Sequence, residues 1–395
     1  MIKVLWLVSW YPNESDPFSG DFIKRQAEAV SVYQPLTIAY VGKYKPKFFD
    51  SLLVNKLDIF KAENLNENIL YYSNSDSKKN IFSRFQSLAG YFRKHKEFIR
   101  QLRKSNGMPD IVHVQVAMKA GLIALYLKWK YKIPYVLTEH WTGYYSESAD
   151  SLFKKSLLHR YFTRLILKNA SLFLPVSEAL GNQIKNNWID VPFYKIPNVV
   201  NTNLFYPVIS EQPHKFRFIH ISSLVFQKNP GGIIRAFTEL INQQIQAELV
   251  IVGPLNFSLH KMIEDSLLPK NKILYLGEIS YEEVSVELRK SSALVMFSYY
   301  ENLPCVILES LCAGIPVIAT KVGGVSEVVS DENGILINAG DEKELLEAMT
   351  KMVRNYQAYD KIKFSKRASD LFSYETVGKE ITEVYNLVLK KTIQV

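Results

Sequence analysis

Cysteine is scarce in this chain. Cys305 and Cys312 are the only two in 395 residues, too few for a disulfide framework. If residues 305–312 are helical, seven steps of rise part their Cα atoms by roughly 10 Å, and a disulfide needs less than about 7 Å. Two free thiols are expected, as in a reducing compartment. Long apolar runs are missing as well: none approaches the ~20 residues that cross a bilayer. The opening MIKVLWLVSWYPNESD has one lysine, an apolar run that breaks at Ser9 and no small-residue cleavage site. It reads as a first strand and not as a signal peptide, so a cytoplasmic protein is expected. GxGxxG after that strand and a Walker A sequence are both absent, which removes the main support for a dehydrogenase or a P-loop enzyme. No second histidine or cysteine stands at metal-ligand spacing, and there is no DxD carboxylate pair. Neither a metal nor a cofactor is expected.

What is present describes a globular protein: 47% hydrophobic and 22% charged residues, in a length that suits two domains. The net charge is +9. Between Lys78 and Lys104 stand Lys78, Lys79, Arg84, Arg93, Lys94, Lys96, Arg100, Arg103 and Lys104 against one acid, Glu97. Lys154, Lys155, Arg160, Arg164 and Lys168 follow with no acid among them. Phe82, Phe85, Leu88, Phe92, Ile99 and Leu102 recur at near-helical spacing through the first of these segments. A basic aromatic helix over 82–104 suits peripheral contact with an anionic membrane, and equally an ordinary surface helix with its apolar face in the core. No nucleic-acid recognition motif accompanies the charge.

Apolar, β-branched runs alternate with helix-period segments along nearly the whole chain. The first half offers IKVLWLVS, PLTIAYV, DIVHVQV, PYVLTEH and SLFLPVS as strands; the second offers FRFIHIS, AELVIVG, KILYLG, ALVMFS, PVIAT and GILI. Such continuous runs are expected of parallel strands buried on both faces. Ser280–Glu283 and Asp341–Glu344 resemble capping boxes that open helices. Two doubly wound, Rossmann-like α/β domains follow, facing across a cleft. They are expected at 1–200 and 201–372, joined near IPNVVNTNLFYPVISEQPHK, with a C-terminal helix over 373–395 that packs back on the first. Ligands of open α/β sheets sit beyond the C-terminal strand ends, hence in the cleft.

The stretch SYYENLPCVILESLCAGIPVIAT, residues 298–320, holds Glu301 and Glu309 with seven residues between them. Spacing alone decides nothing, since Glu139/Glu147 and Glu375/Glu383 repeat it. The surroundings differ. A strand ends at Ser298, a loop follows, Pro304 stands at a helix start and Gly314 just past its end. Glu301 therefore lies in the loop and Glu309 about two turns into a helix 304–313, whose free N–H groups around Asn302 to Val306 form an anion site. A nucleotide diphosphate along that helix would set its ribose diol against the Glu309 carboxylate.

Other candidates are weaker singly. Lys228, in FIHISSLVFQKNPGG, suits a point charge for the same diphosphate or a solvated loop position. Gly20, between the first strand and a helix, allows close phosphate approach or serves a turn. His140 ends a strand at the cleft edge, where a histidine is more often structural than catalytic.

Along essentially its whole length the sequence resembles the family 4 glycosyltransferases, retaining enzymes of GT-B fold. The resemblance rests on SWYPNESDPFSG, TEHWTGY, PVSEAL, IPNVVNTNLF, SSLVFQKNP, the ENLPCVILESLCAGIPVIAT block and VGGVSEVV, in the family's order. It implies that Glu301 approaches the donor sugar, that Glu309 binds the ribose, and that the backbone at Asn302 and Leu303 holds diphosphate and sugar. It also implies that Lys228 contacts the diphosphate, that Gly20 is the glycine-loop position, and that His140 stands beside the transferred sugar. Catalytic roles then fall to Glu301, His140 and Lys228. Where many relatives carry an arginine five residues before the lysine, this chain has Ser223; Lys24 or Arg25 would be the substitute. The implied reaction is metal-independent transfer from a nucleotide sugar, UDP favoured over GDP, to a polysaccharide or glycolipid hydroxyl. A nucleotide-sugar epimerase on the same fold, or a degenerate nucleotide-sugar-binding subunit, are the alternatives.

Overall fold

The computed structural model describes residues 2–43, 57–61, 64–72, 81–105, 107–208, 215–254 and 256–393. Lys78, Lys79 and the side chains of Phe82 and Arg84 lie outside the described residues. Two sheets organise the chain. The first contains β1 (Val4–Val8), β2 (Leu36–Lys43), β3 (Leu57–Lys61), β4 (Leu65–Tyr72), β5 (Ile111–Gln115), β6 (Tyr135–Glu139) and β7 (Leu172–Pro175). Its order is β3-β4-β2-β1-β5-β6-β7, parallel except for β3 against β4. The second contains β8 (Phe216–Ile221), β9 (Ala247–Val252), β10 (Ile273–Gly277), β11 (Ala293–Met296), β12 (Val317–Thr320) and β13 (Gly334–Ile337). Its order is β10-β9-β8-β11-β12-β13, all parallel. Two doubly wound domains face each other across a cleft.

Every strand expected from the apolar runs is present. Unforeseen were β3 and β4. After Leu65, LNENILYY carries Asn66, Glu67 and Asn68, which interrupt the apolar pattern, yet Glu67 and Asn68 are buried because each finds partners. Tyr11 donates to Glu67 at 2.6 Å, Lys24 lies 3.3 Å from it, and Asn68 donates to the Ile38 carbonyl at 3.1 Å.

Strand order reverses at β1 in one sheet and at β8 in the other, and ligands of such sheets gather at these switch points. The loop after β1 leads through Gly20 to the helix Asp21–Ser31; the loop after β8 carries Ser223 and Lys228. The capping box at Ser280–Glu283 closes reciprocally. At Asp341 only half forms, because the Glu344 carboxylate accepts from the Asn338 N–H instead. The last helix, Tyr374–Ile393, buries Val377, Ile381, Val384 and Tyr385 against the first sheet's helix Asp21–Ser31. There Trp6 donates to the Tyr385 hydroxyl at 2.9 Å. The basic helix spans Ile81–Ser105. Much of its apolar stripe faces inward, with Ile99 buried beside Tyr91 and Phe98, while Phe85 and Leu88 remain exposed.

Candidate active site

Between β11 and β12 runs the helix Cys305–Cys312. It begins one residue later than the proline rule placed it. Pro304 is the N-cap with extended ψ of 125°, so its ring precedes the first turn. Glu309, four residues past Cys305, is about one turn in; even a start at Pro304 would give about 1.4 turns, not the two expected. Gly314 closes the far end at φ +73°, a conformation glycine adopts without steric cost. Proline has no side-chain acceptor to cap the helix. The Cys305 and Val306 ends of the first turn open into a cleft of about 970 Å³. Partial positive charge at a helix N-terminus therefore faces that space.

Glu309 lines the same cleft and is buried. Its Oε1 lies 3.5 Å from Arg25 of the opposite domain and has no hydrogen-bond partner. Arg25 in turn holds Asp21 at 2.6 Å and lies 4.2 Å above the Tyr281 ring. Burial pushes the Glu309 carboxyl up to about 7, against the pull of Arg25 and of the nearby Tyr281 side chain. A buried carboxylate oxygen without a donor is costly unless something else supplies one. Asp21 and Arg25 form an i,i+4 pair directly after Gly20, which the sequence displays; that the pair reaches Glu309 it does not. Tyr281, which opens the helix Tyr281–Arg289 after β10, was missed altogether.

Glu301 contacts the Lys228 ammonium directly. With Asn302 and Leu303 it forms a buried wedge between the domains. Asn302 donates to the His140 carbonyl at 2.6 Å, and Asn198 donates to the Leu303 carbonyl at 2.8 Å. Gly324 donates to the Asn302 carbonyl at 2.7 Å. On Gly323, a side chain would lie 1.9 Å from the Glu301 carbonyl oxygen, so only glycine fits. Lys228, Ser223 and Glu309 line the cleft with Lys24 and Arg25, whereas Glu301, Asn302, Leu303, His140 and Gly20 do not. Gly20 has a local reason to be glycine: φ is +65°, and a Cβ would lie 2.7 Å from the Trp10 carbonyl carbon.

His140 lies under Phe22, ring centroids 4.7 Å apart, and its Nε2 meets Gln115 Oε1 at 2.9 Å. Burial holds the ring down to about 3, so it is neutral at physiological pH. Among the described residues no group of three or more His, Cys, Asp or Glu side chains is placed to hold a metal ion. None of the described helices is long and apolar enough to cross a membrane. Cys305 and Cys312 are free thiols.

Two family profiles match successive stretches: "Glycosyltransferase Family 4" over residues 70–204 and "Glycosyl transferases group 1" over 207–368. The chain is a glycosyltransferase of GT-B fold, related to both. An uncharacterized glycosyltransferase of Methanocaldococcus jannaschii is 29% identical, over 72% of this chain and 77% of that protein. The putative teichuronic acid biosynthesis glycosyltransferase TuaC of Bacillus subtilis is 24% identical over 95% of this chain and 94% of its own. Among solved structures, a sucrose-phosphate synthase of Thermosynechococcus elongatus superposes with a TM-score of 0.79 at 17% identity, covering 98% of this chain and 100% of that one. HepE of Anabaena in complex with UDP-glucose superposes at 0.71 with 18% identity and the same coverage.

Proposed function

We propose that the protein is a retaining glycosyltransferase that moves a sugar from a nucleotide donor to a hydroxyl of a growing polysaccharide or glycolipid, without a metal. One observation carries the reading: the buried Glu309 oxygen, paired with Arg25 but without a hydrogen bond, sits one turn inside an uncapped helix whose N-terminus opens into the same cleft. A ribose diol supplies the hydrogens that oxygen lacks. The diphosphate then lies over the helix N-terminus, with Lys228, Arg25 and Lys24 around it and Arg25 in place of the arginine missing at Ser223. As the glycosidic bond breaks, charge grows on the leaving diphosphate, and preset donors there lower the barrier. Glu301, held by Lys228, faces the sugar, and His140 stands beside it. Glu309 is committed to ribose and Glu301 to Lys228, so attack by the acceptor hydroxyl on the departing face accounts for retention. Asn302 and Leu303 hold sugar and diphosphate through their backbone. A UDP-sugar is our favoured donor, the kind of ligand that HepE of the same fold carries. The teichuronic acid assignment of TuaC supports a polysaccharide product.

Within this reading the donor domain is 201–372, the acceptor domain 1–200, and residues 373–395 return to the latter. We place the enzyme at the cytoplasmic face of a membrane. Phe153, Leu157, Leu158 and Tyr161 are exposed beside Lys154, Arg160, Arg164 and Lys168, and Phe85 and Leu88 are exposed on the basic helix. Flotation with anionic vesicles checks this: binding weakened by Leu157→Asp supports the placement, and no binding refutes it.

The test of function is donor-dependent release of nucleotide from a panel of UDP-, GDP- and ADP-sugars, metal withheld. Turnover with one donor, lost in Glu301→Ala and Lys228→Ala, is expected. Interconversion of free sugar nucleotides would instead indicate an epimerase, and binding without turnover a degenerate subunit.

A further inference from the structure

His140 forms one ring hydrogen bond, at Nε2; its Nδ1 is buried and has no partner. Heavy-atom positions do not themselves say which nitrogen carries the hydrogen, but the amides behind His140 do. Pro197, in the segment that joins the two domains, offers a carbonyl that only accepts. The Gln26 amide beside it therefore presents its nitrogen, 3.3 Å away. That turns Gln26 Oε1 toward Gln115, whose Nε2 donates to it at 3.3 Å. Gln115 Oε1 is left for His140 and takes a hydrogen from Nε2 at 2.9 Å. Each orientation follows from the one before: reversing Gln26 sets its Oε1 against the Pro197 carbonyl, and reversing Gln115 sets its Oε1 against Gln26 Oε1.

Gln115 Nε2 also faces His113 Nε2 at 3.5 Å, and the His113 ring meets Tyr385 through Nδ1 and Thr138 through Nε2, each at 2.7 Å. Asn198, which acts on the His140 ring, spends its amide nitrogen on the Leu303 carbonyl, and its own oxygen is buried without a partner. With the hydrogen on Nε2, His140 Nδ1 is left as a buried acceptor without a partner, as Asn198 Oδ1 is.

We propose that Gln26 and Gln115 are positioning residues that hold His140 as the Nε2–H tautomer, so that Nδ1 is left as an acceptor. An effect of that on donor affinity rests on the function proposed above; the tautomer does not. Nitrogen-15 spectra of the imidazole groups, with His140 assigned by loss of its signals in His140→Gln, test it directly. The expected wild-type spectrum has a pyrrole-type Nε2 and a pyridine-type Nδ1. Gln115→Met should mix the tautomers, and Gln115→Glu, which keeps an acceptor, should restore the Nε2–H form. Gln115→Met should also raise KM for the sugar nucleotide about tenfold, the loss of roughly one hydrogen bond, while UDP alone binds as before. A pyrrole-type Nδ1 in the wild type, donating toward Asn198, would overturn the proposal, as would a Gln115→Met spectrum identical to it. Should the tautomer hold while no donor is turned over, the functional reading fails and the amide chain stands.

Discussion

Glu139 and Glu309 are both buried carboxylates, and each belongs to a pair of glutamates with seven residues between them. Glu139, at the end of β6, is fully met. Its Oε1 accepts the N–H groups of His140 and Trp141 at 3.0 Å each. Its Oε2 accepts the Ala117 N–H at 3.1 Å and the Tyr144 hydroxyl at 2.9 Å. Glu309 has Arg25 at 3.5 Å, the Tyr281 side chain nearby and an Oε1 with no hydrogen bond. Burial raises the pKa of both, yet the first carboxylate is part of the scaffold and the second is held ready for something else. Neither spacing nor burial separates them. Unmet hydrogen-bonding capacity at the wall of a cleft does.

The comparison is broken or sharpened by three substitutions. Glu139→Ala strands four buried donors and should cost about 3–5 kcal/mol of stability, read by denaturant unfolding; a loss below about 1 kcal/mol would erase the contrast. Glu309→Gln removes an ion whose burial is unfavourable, so stability should hold or rise. Donor affinity should instead fall roughly 10–100-fold by calorimetry, as when charged hydrogen bonds are lost. Equal damage to stability in both variants would show that Glu309 is scaffold too. Glu383→Ala, at an exposed position in the third pair of this spacing, should stay within about 0.5 kcal/mol and leave turnover unchanged.

The alternation of apolar runs carried both domains, because parallel strands buried on two faces admit few polar residues. It failed at β4, where Glu67 and Asn68 are buried only because Tyr11, Lys24 and the β2 backbone meet them from elsewhere in the chain. The Pro304–Gly314 frame located the helix to within a residue, since both caps act locally. What was not legible spans the cleft or the core: Arg25 reaching Glu309, Tyr281 beneath Arg25, and the run from Pro197 through Gln26 and Gln115 to His140. These contacts join positions far apart in sequence, and no local pattern announces them. Gly20 and Gly323 were open or unremarked in the sequence, and the structure gives each a steric reason in a neighbouring carbonyl group.

Because the Glu309 pKa is raised in the folded protein, unliganded stability should fall as pH rises from the ordinary carboxylate value of 4.5 through about 7, where the buried group ionises. Donor binding should follow the opposite course, since only the ionised carboxylate can accept both ribose hydroxyls. The most direct measurement is the affinity for UDP-glucose from pH 5.5 to 8.0, a ligand whose esterified phosphates keep their charge across that range. The account predicts affinity that tightens through about pH 7 in the wild type and a flat profile in Glu309→Gln. A flat wild-type profile, or the same rise in Glu309→Gln, would contradict it.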